Sequence, residues 1–406
     1  MALTNVWAPH WDARLNAMYI FDSLAEVQLS SFIFPPIPSS DPDLSSATLI
    51  SEMATFYDCA NPHISGSSNF GAIYGSWNQH IVNISPAPIV SPLPTGGCTI
   101  SSCPDLRLIS LLAEPLHTLL VPVTDAAHDR DRKKCPPDSC CAAGTRARLI
   151  KLITSKVDNP LSPRRIIWLH GYVGCGKSAI VQTLCDHYAR EKRLAGSFVF
   201  FRQSGDRSKI EKLATTLAYQ LAEAIPITEQ RIREAVTKRP TIVNSTTSLE
   251  VQFQQLIFHP LLSAFPPATD LNRSGDFSPY LIVIDGLDGC IDHDGIALFL
   301  DLILNFFRAH PHIPIRLLIA SRIEEHIRTH LQGEEVQTHD VGKFDADEDI
   351  RRFLKLELDQ LAGHDRVLQA YMRSKSMKEW PSAAELNDLV SRSNKSFLLA
   401  SMILSN

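Results

Sequence analysis

The stretch Gly171-Tyr172-Val173-Gly174-Cys175-Gly176-Lys177-Ser178 fits G-x-x-x-x-G-K-[ST], a set of residue types suited to holding a chain of phosphates. Glycines let successive backbone N–H groups curl around a phosphate, and a helix starting there adds the favourable end of its dipole. On this reading Gly171, Gly174, Cys175, Gly176, Lys177, Ser178 and Ala179 line the phosphates of ATP or GTP. Lys177 would reach the β- and γ-phosphates, and the Ser178 hydroxyl would ligate Mg²⁺. A second group follows in Leu281-Ile282-Val283-Ile284-Asp285-Gly286-Leu287-Asp288, four apolar residues that end in an acid. A buried strand of this kind delivers a carboxylate beside Mg²⁺, so Asp285 is the expected metal residue, acting through water. Asp288 is the candidate to orient or activate an attacking water. A third run, Ile315 to Ala320, ends in Ser321 and Arg322. In a sheet where an extra strand separates the loop strand from the Asp285 strand, these two would sense the γ-phosphate.

The elements that must position these groups are legible around them. Ile166 to His170 is β-branched and aromatic and reads as a buried strand running into the loop. Beyond Ser178, apolar residues at Ala179, Ile180, Val181, Leu184, Cys185, Tyr188 and Ala189 have helical spacing. Further strands are expected over 197–201, 280–284, 316–320 and 336–341. Helices are expected near 145–157, 208–224, 228–238, 249–264, 294–309 and 323–331. This alternation predicts an α/β fold with a parallel P-loop NTPase sheet and flanking helices. Past residue 345 the pattern is helical. Ile350, Phe353, Leu354, Leu358 and Leu361 make one stripe, Ser382 to Glu385 reads as a capping box, and a last helix covers 396–404.

The remainder of the chain bounds the answer more loosely. Its 406 residues leave room for two or three domains. The expected division is an irregular, acidic, Pro/Ser-rich region over 1–110, a linker and leading helix over 111–163, the NTPase core over 164–342, and a helical lid, apparently truncated, over 343–406. Residues 15–29 read as one helix, and no charged residue other than histidine occurs between Cys59 and Pro104. A net charge of −5 argues against nucleic acid as a partner. No run of 18 apolar residues suits a membrane span, and the N-terminus lacks the features of a signal peptide. Nine cysteines without a disulfide-framework spacing suit a reducing cytoplasm. Cys135, Cys140 and Cys141 with His128 match no standard zinc spacing and read as a loop with free thiols.

WLHGYVGCGKSAIVQTLC, SFVFFR with LATTLAYQLA, LIVIDGLDGC and RLLIASRIEEHI, in this order, resemble the NACHT-type ATPases of basidiomycete fungi. These belong to the STAND class of signalling P-loop NTPases, and their domain is also described as nephrocystin-like. The resemblance covers about residues 120–406. It implies a switch driven by ATP or GTP with Mg²⁺, in which nucleotide exchange permits assembly into a homo-oligomer or with an effector protein. Self/non-self recognition or defence is the setting it suggests. Carried over by position, it gives Gly171, Gly176, Lys177 and Ser178 to phosphate and Mg²⁺, Asp285 to the metal strand, and Arg322 to the sensor. Gly289 stands where the family usually has Glu, which should slow hydrolysis more than it weakens binding. No residues follow Asn406 to supply the family's repeats, so slow or absent hydrolysis and a lid without its sensor are expected. Two other functions fit the same residues: an interaction module that binds nucleotide structurally, and a small-molecule kinase. A kinase needs an Arg-rich lid, and residues 202–240 carry only scattered basic residues.

Overall fold

A computed structural model describes residues 114–202, 204–267, 278–375 and 380–405. The helix expected over 15–29 and the uncharged segment 59–104 lie outside the described residues. Helices α1 (Leu116–Leu120) and α2 (Ala147–Val157) lead into strand β1 (Ile166–His170), which runs into helix α3 (Lys177–Arg190). Strand β2 (Leu194–Val199) is followed by helices α4 (Leu213–Ala224) and α5 (Glu229–Lys238). The helix expected over 249–264 is three pieces: α6 (Leu249–Phe253), a widened π turn (Gln254–Phe258) and α7 (His259–Ala264). Pro260 supplies no amide to a regular ladder, and the wider turn directly before it absorbs that register change.

Strand β3 (Tyr280–Asp285), helix α8 (His293–Ala309), strand β4 (Ile315–Ser321), helix α9 (Glu325–Leu331) and strand β5 (Val336–Asp340) complete the core. The five strands pair in parallel in the order β2-β3-β4-β1-β5. β4 therefore lies between the loop strand and the Asp285 strand, the arrangement on which the sensor expectation rested. Every residue of β1 and β4 is buried, because helices cover both faces of the sheet. Period-2 alternation divides β1, β3 and β4 between two cores. Ile166 and Trp168 face the core shared with α4 to α9, while Ile167 and Leu169 face the one shared with α2 and α3. The strand expected over 197–201 begins instead at Leu194, since its pairing with β3 starts at Leu281. The sheet and its flanking helices are those of a P-loop NTPase fold.

The C-terminal part is helical, as its periodicity predicts, with α10 (Asp347–His364), α11 (Arg366–Ser374), α12 (Ala383–Arg392) and α13 (Phe397–Ser405). Ala346, Ile350, Leu354, Leu358, Leu386, Val390 and Ala400 form its own small core. The capping box is present: Ser382 Oγ accepts from the Glu385 amide at 3.3 Å, and Glu385 accepts from the Ser382 amide at 2.8 Å. Leu361 departs from the expected stripe and is 46% exposed, because α10 has passed the end of that core by its last turn. Helix α11 was not resolved by the stripe pattern and buries none of its residues. Among the described residues, no helix is long and apolar enough to cross a membrane.

Candidate functional site

The loop from His170 to Lys177 leaves the carboxyl edge of β1 and enters α3 with Gly176 as its last non-helical residue. Gly174 and Gly176 have φ of 80° and 90°, which side chains with a Cβ disfavour. Their left-handed conformations form the tight turn that the glycine spacing predicts. Lys177 Nζ folds back over the turn and donates to the carbonyl oxygens of Gly171 (2.8 Å) and Tyr172 (3.1 Å). Of the three donors of the ammonium, the third meets only the weakly accepting Cys175 Sγ at 3.9 Å, so this pose fixes the charge over the loop and leaves a donor that an anion could take over.

Asp285 ends β3 at the same sheet edge and is only 3% exposed. Its Oδ1 is buried without a hydrogen-bond partner. Burial pushes its carboxyl above the ordinary carboxylate range, opposed by the Ser178 hydroxyl and the charges of Arg130 and Lys177. A buried, unpartnered carboxylate oxygen beside a hydroxyl fits a divalent cation. Mg²⁺ typically takes one or two carboxylates and completes its shell with phosphate and water oxygens. Ser178 and Asp285 are thus the residues suited to hold it.

Asp288 and Arg322 are brought together. Asp288 Oδ1 accepts from the Arg322 amide at 2.8 Å and Oδ2 accepts from its Nε at 2.7 Å. Glu324 lies 3.8 Å from the same guanidinium. This clasp joins the turn after β3 to the end of β4 across a single strand boundary. Ser321 lies beneath it, fully buried, its Oγ accepting from Trp168 Nε1 at 2.9 Å. Replacing Asp288 with alanine strands two donors and should cost about 2 kcal/mol in chemical denaturation.

Three residues that the motifs did not single out reach the loop. Arg146 is buried, donates from Nη2 to the Cys175 carbonyl at 2.9 Å and from Nη1 to the Phe344 carbonyl at 3.3 Å, and lies 5.0 Å from the Phe397 ring centroid. Phe397, the first residue of α13, donates its amide to the Gly174 carbonyl at 2.9 Å. Tyr172 Oη donates to the Lys395 carbonyl at 2.9 Å. Asn394 and Lys395, with φ of 44° and 62°, are consecutive left-handed residues in the turn that makes this approach. Nothing local marks Arg146, whereas an aromatic opening the last apolar helix was a legible, if general, signal for Phe397.

The thiols do not converge on a metal. Burial pushes Cys141 up to about 11, while Cys140 is exposed with its Sγ 3.9 Å from Thr183 Oγ1. His128 donates its amide to Ser197 Oγ at 2.9 Å instead. Among the described residues, no group of three or more His, Cys, Asp or Glu is placed to hold a metal ion.

Comparison with known proteins places this geometry in context. The profile of the family described as Nephrocystin 3, N-terminal, matches residues 151–322, from within α2 to the clasped Arg322. No curated protein matches the chain. Among solved structures, PCH-2 of C. elegans is similar at 13% identity and a TM-score of 0.34, over 64% of this chain. The alignment spans 63% of the PCH-2 chain. The AAA domain of FIGL-1, solved in complex with ADP, is similar at 13% identity and a TM-score of 0.28, over 73% of this chain and 80% of that one. Residues 151–322, with the glycine loop and four of the five parallel strands found within them, form a P-loop NTPase-like module similar to the nephrocystin 3 N-terminal family.

Proposed function

We propose that the chain is a nucleoside-triphosphate switch of the NACHT/STAND kind, with slow or absent hydrolysis. Its parts are an N-terminal region over 1–110, a linker and leading helix over 111–163, a core over 164–342 and a helical lid over 343–406. In this reading Gly171, Gly174, Cys175, Gly176, Lys177, Ser178 and Ala179 bind the phosphates of ATP or GTP. Ser178 and Asp285 hold Mg²⁺, which when bound neutralises phosphate charge. Asp288 and Arg322 form the element that responds to the third phosphate.

The observation that carries a switch rather than a plain binding module is the seating of the lid on the loop. The Phe397 amide of the lid touches Gly174 of the cradle, the Lys395 carbonyl touches Tyr172 of the same loop, and Arg146 ties the Cys175 carbonyl to the lid's Phe344 carbonyl and Phe397 ring. Any ligand that alters the loop must therefore act on the lid, and by linkage the lid acts on the ligand. Slow turnover is supported by Gly289, which offers no carboxylate beside Asp288.

The test is nucleotide release. Phe397→Ala removes the ring that faces Arg146 and stands 5.9 Å from Phe353 in an edge-on arrangement. The Phe353 contact is internal to the lid, so docking loses the contact with the buried Arg146 and should weaken by about 2 kcal/mol. Release of a fluorescent diphosphate should accelerate about tenfold or more, read by stopped flow. A release rate equal to that of the parent would leave a rigid nucleotide-binding module as the better reading.

A further inference from the structure

Arg207 and Arg316 head the fully buried side chains by volume among the described residues. The two lie in different surroundings. Arg316, at the amino end of β4, caps the carbonyls of Asn159 (2.6 Å) and Pro160 (3.4 Å). Arg207 stands near the carboxyl edge, in the short turn after β2, at 1% exposure. Its Nε donates to the Val199 carbonyl at 3.2 Å and its Nη2 to the Pro136 carbonyl at 2.6 Å. The guanidinium carbon lies 5.3 Å from the Phe201 ring centroid. Its Nη1 is buried and meets no acceptor.

The position of those carbonyls locates the charge. Val199 is the register partner of Asp285, and the Phe200 amide donates to the Asp285 carbonyl at 2.8 Å. Arg207 is therefore anchored on the peptide paired with that of the metal-strand aspartate, at the edge where the glycine loop opens. Only neutral carbonyls hold it. Arg322 differs, since Asp288 and Glu324 neutralise it. Burial, with neighbouring Arg130 next in importance, pushes Arg207 down to about 10 against the weaker pull of Asp125 and Asp285, which still leaves it charged at neutral pH. A buried cation with no carboxylate in ion-pair contact is costly, and that cost falls when a further anion enters the same low-dielectric region.

We propose that Arg207 is a positioning residue for the terminal phosphate, its buried charge, which no carboxylate ion-pairs, favouring a triphosphate over a diphosphate from behind Asp285. The inference rests on the triphosphate reading above and deepens it by assigning ligand discrimination to a residue outside the motifs. Arg207 acts through space and through Asp285. It does not touch the reacting atoms.

The experiment is calorimetric titration of the full chain with Mg-ATP and Mg-ADP, in the parent, Arg207→Gln and Arg207→Lys. Glutamine keeps an N–H donor for the carbonyls and removes the charge, while lysine keeps the charge. The ADP-to-ATP ratio of dissociation constants should fall about tenfold in Arg207→Gln, and Arg207→Lys should stay within about threefold of the parent. An unchanged ratio in a folded Arg207→Gln overturns the assignment while leaving the triphosphate reading intact. So does an equal loss of both affinities that lysine fails to restore, which marks a structural role. If Arg207→Gln does not fold, a ratio in Arg207→Lys that departs from the parent's overturns it equally. A parent that binds neither nucleotide sinks the triphosphate reading itself, and the role of Arg207 with it.

Discussion

Replacing Lys177 with alanine should abolish the thermal stabilisation that Mg-ATP confers on the parent chain. Lys177 Nζ is held over the loop by two carbonyls, so its charge is positioned before any ligand arrives. That pre-organisation spares the ordering cost of a long flexible side chain. At a 100-fold excess over the dissociation constant, a ligand that binds only the folded state stabilises it by about 2.7 kcal/mol. For a domain of this size that corresponds to a rise in melting temperature of about 5 °C. Differential scanning fluorimetry with and without nucleotide reads it directly. The ligand-free melting temperatures of parent and variant should agree closely, because the lysine bonds to two carbonyls that water can serve instead and to the weakly accepting Cys175 sulfur. No shift in the parent would remove the basis for a phosphate site.

Asp285→Asn should have two opposite effects. Burial raises the carboxyl above its unfolded value. Between those two values the folded state binds more protons than the unfolded one, so stability falls as pH rises through the window. Above the folded value the full penalty of a buried charge is present. Asparagine removes the charge, so the ligand-free variant should be more stable than the parent near neutral pH by about 1–2 kcal/mol. It should also lose that part of the pH slope. The Mg²⁺-dependent portion of nucleotide stabilisation should vanish with the carboxylate. Denaturant titrations across pH, with and without Mg-ATP, separate the two effects. A variant less stable than the parent at every pH would mean that Asp285 serves the fold and not a cation.

Much of the core was legible because its signals are local. Buried parallel strands such as Ile315–Ser321 are continuous apolar runs, and Gly174 and Gly176 announce the turn they permit. The position of β4 between β1 and β3 was visible only as a condition, since strand order is set by contacts distant in sequence. The buried arginines were not legible at all. Arg146, Arg207 and Arg316 look like surface cations in the sequence, and only the fold shows backbone carbonyls meeting them. The clasp between Asp288 and Arg322 belongs to the same class, because 34 residues separate its partners. Helix α11 escaped because its apolar residues meet no core that would give them a stripe to match.

The bond from the Phe397 amide to the Gly174 carbonyl has a genetic consequence. Both atoms belong to the main chain, so neither side chain is needed to make it. Every single substitution at position 397 except proline preserves the donor. At 174 the carbonyl also survives any substitution, but an added Cβ would run into Ser396 Oγ and into Leu398 Cβ at 2.8 Å, so only glycine lets the lid come this close. A mutational scan would therefore pass over the contact at 397 and reveal it at 174, and descendants of this chain could vary freely at one end of the link and not at the other.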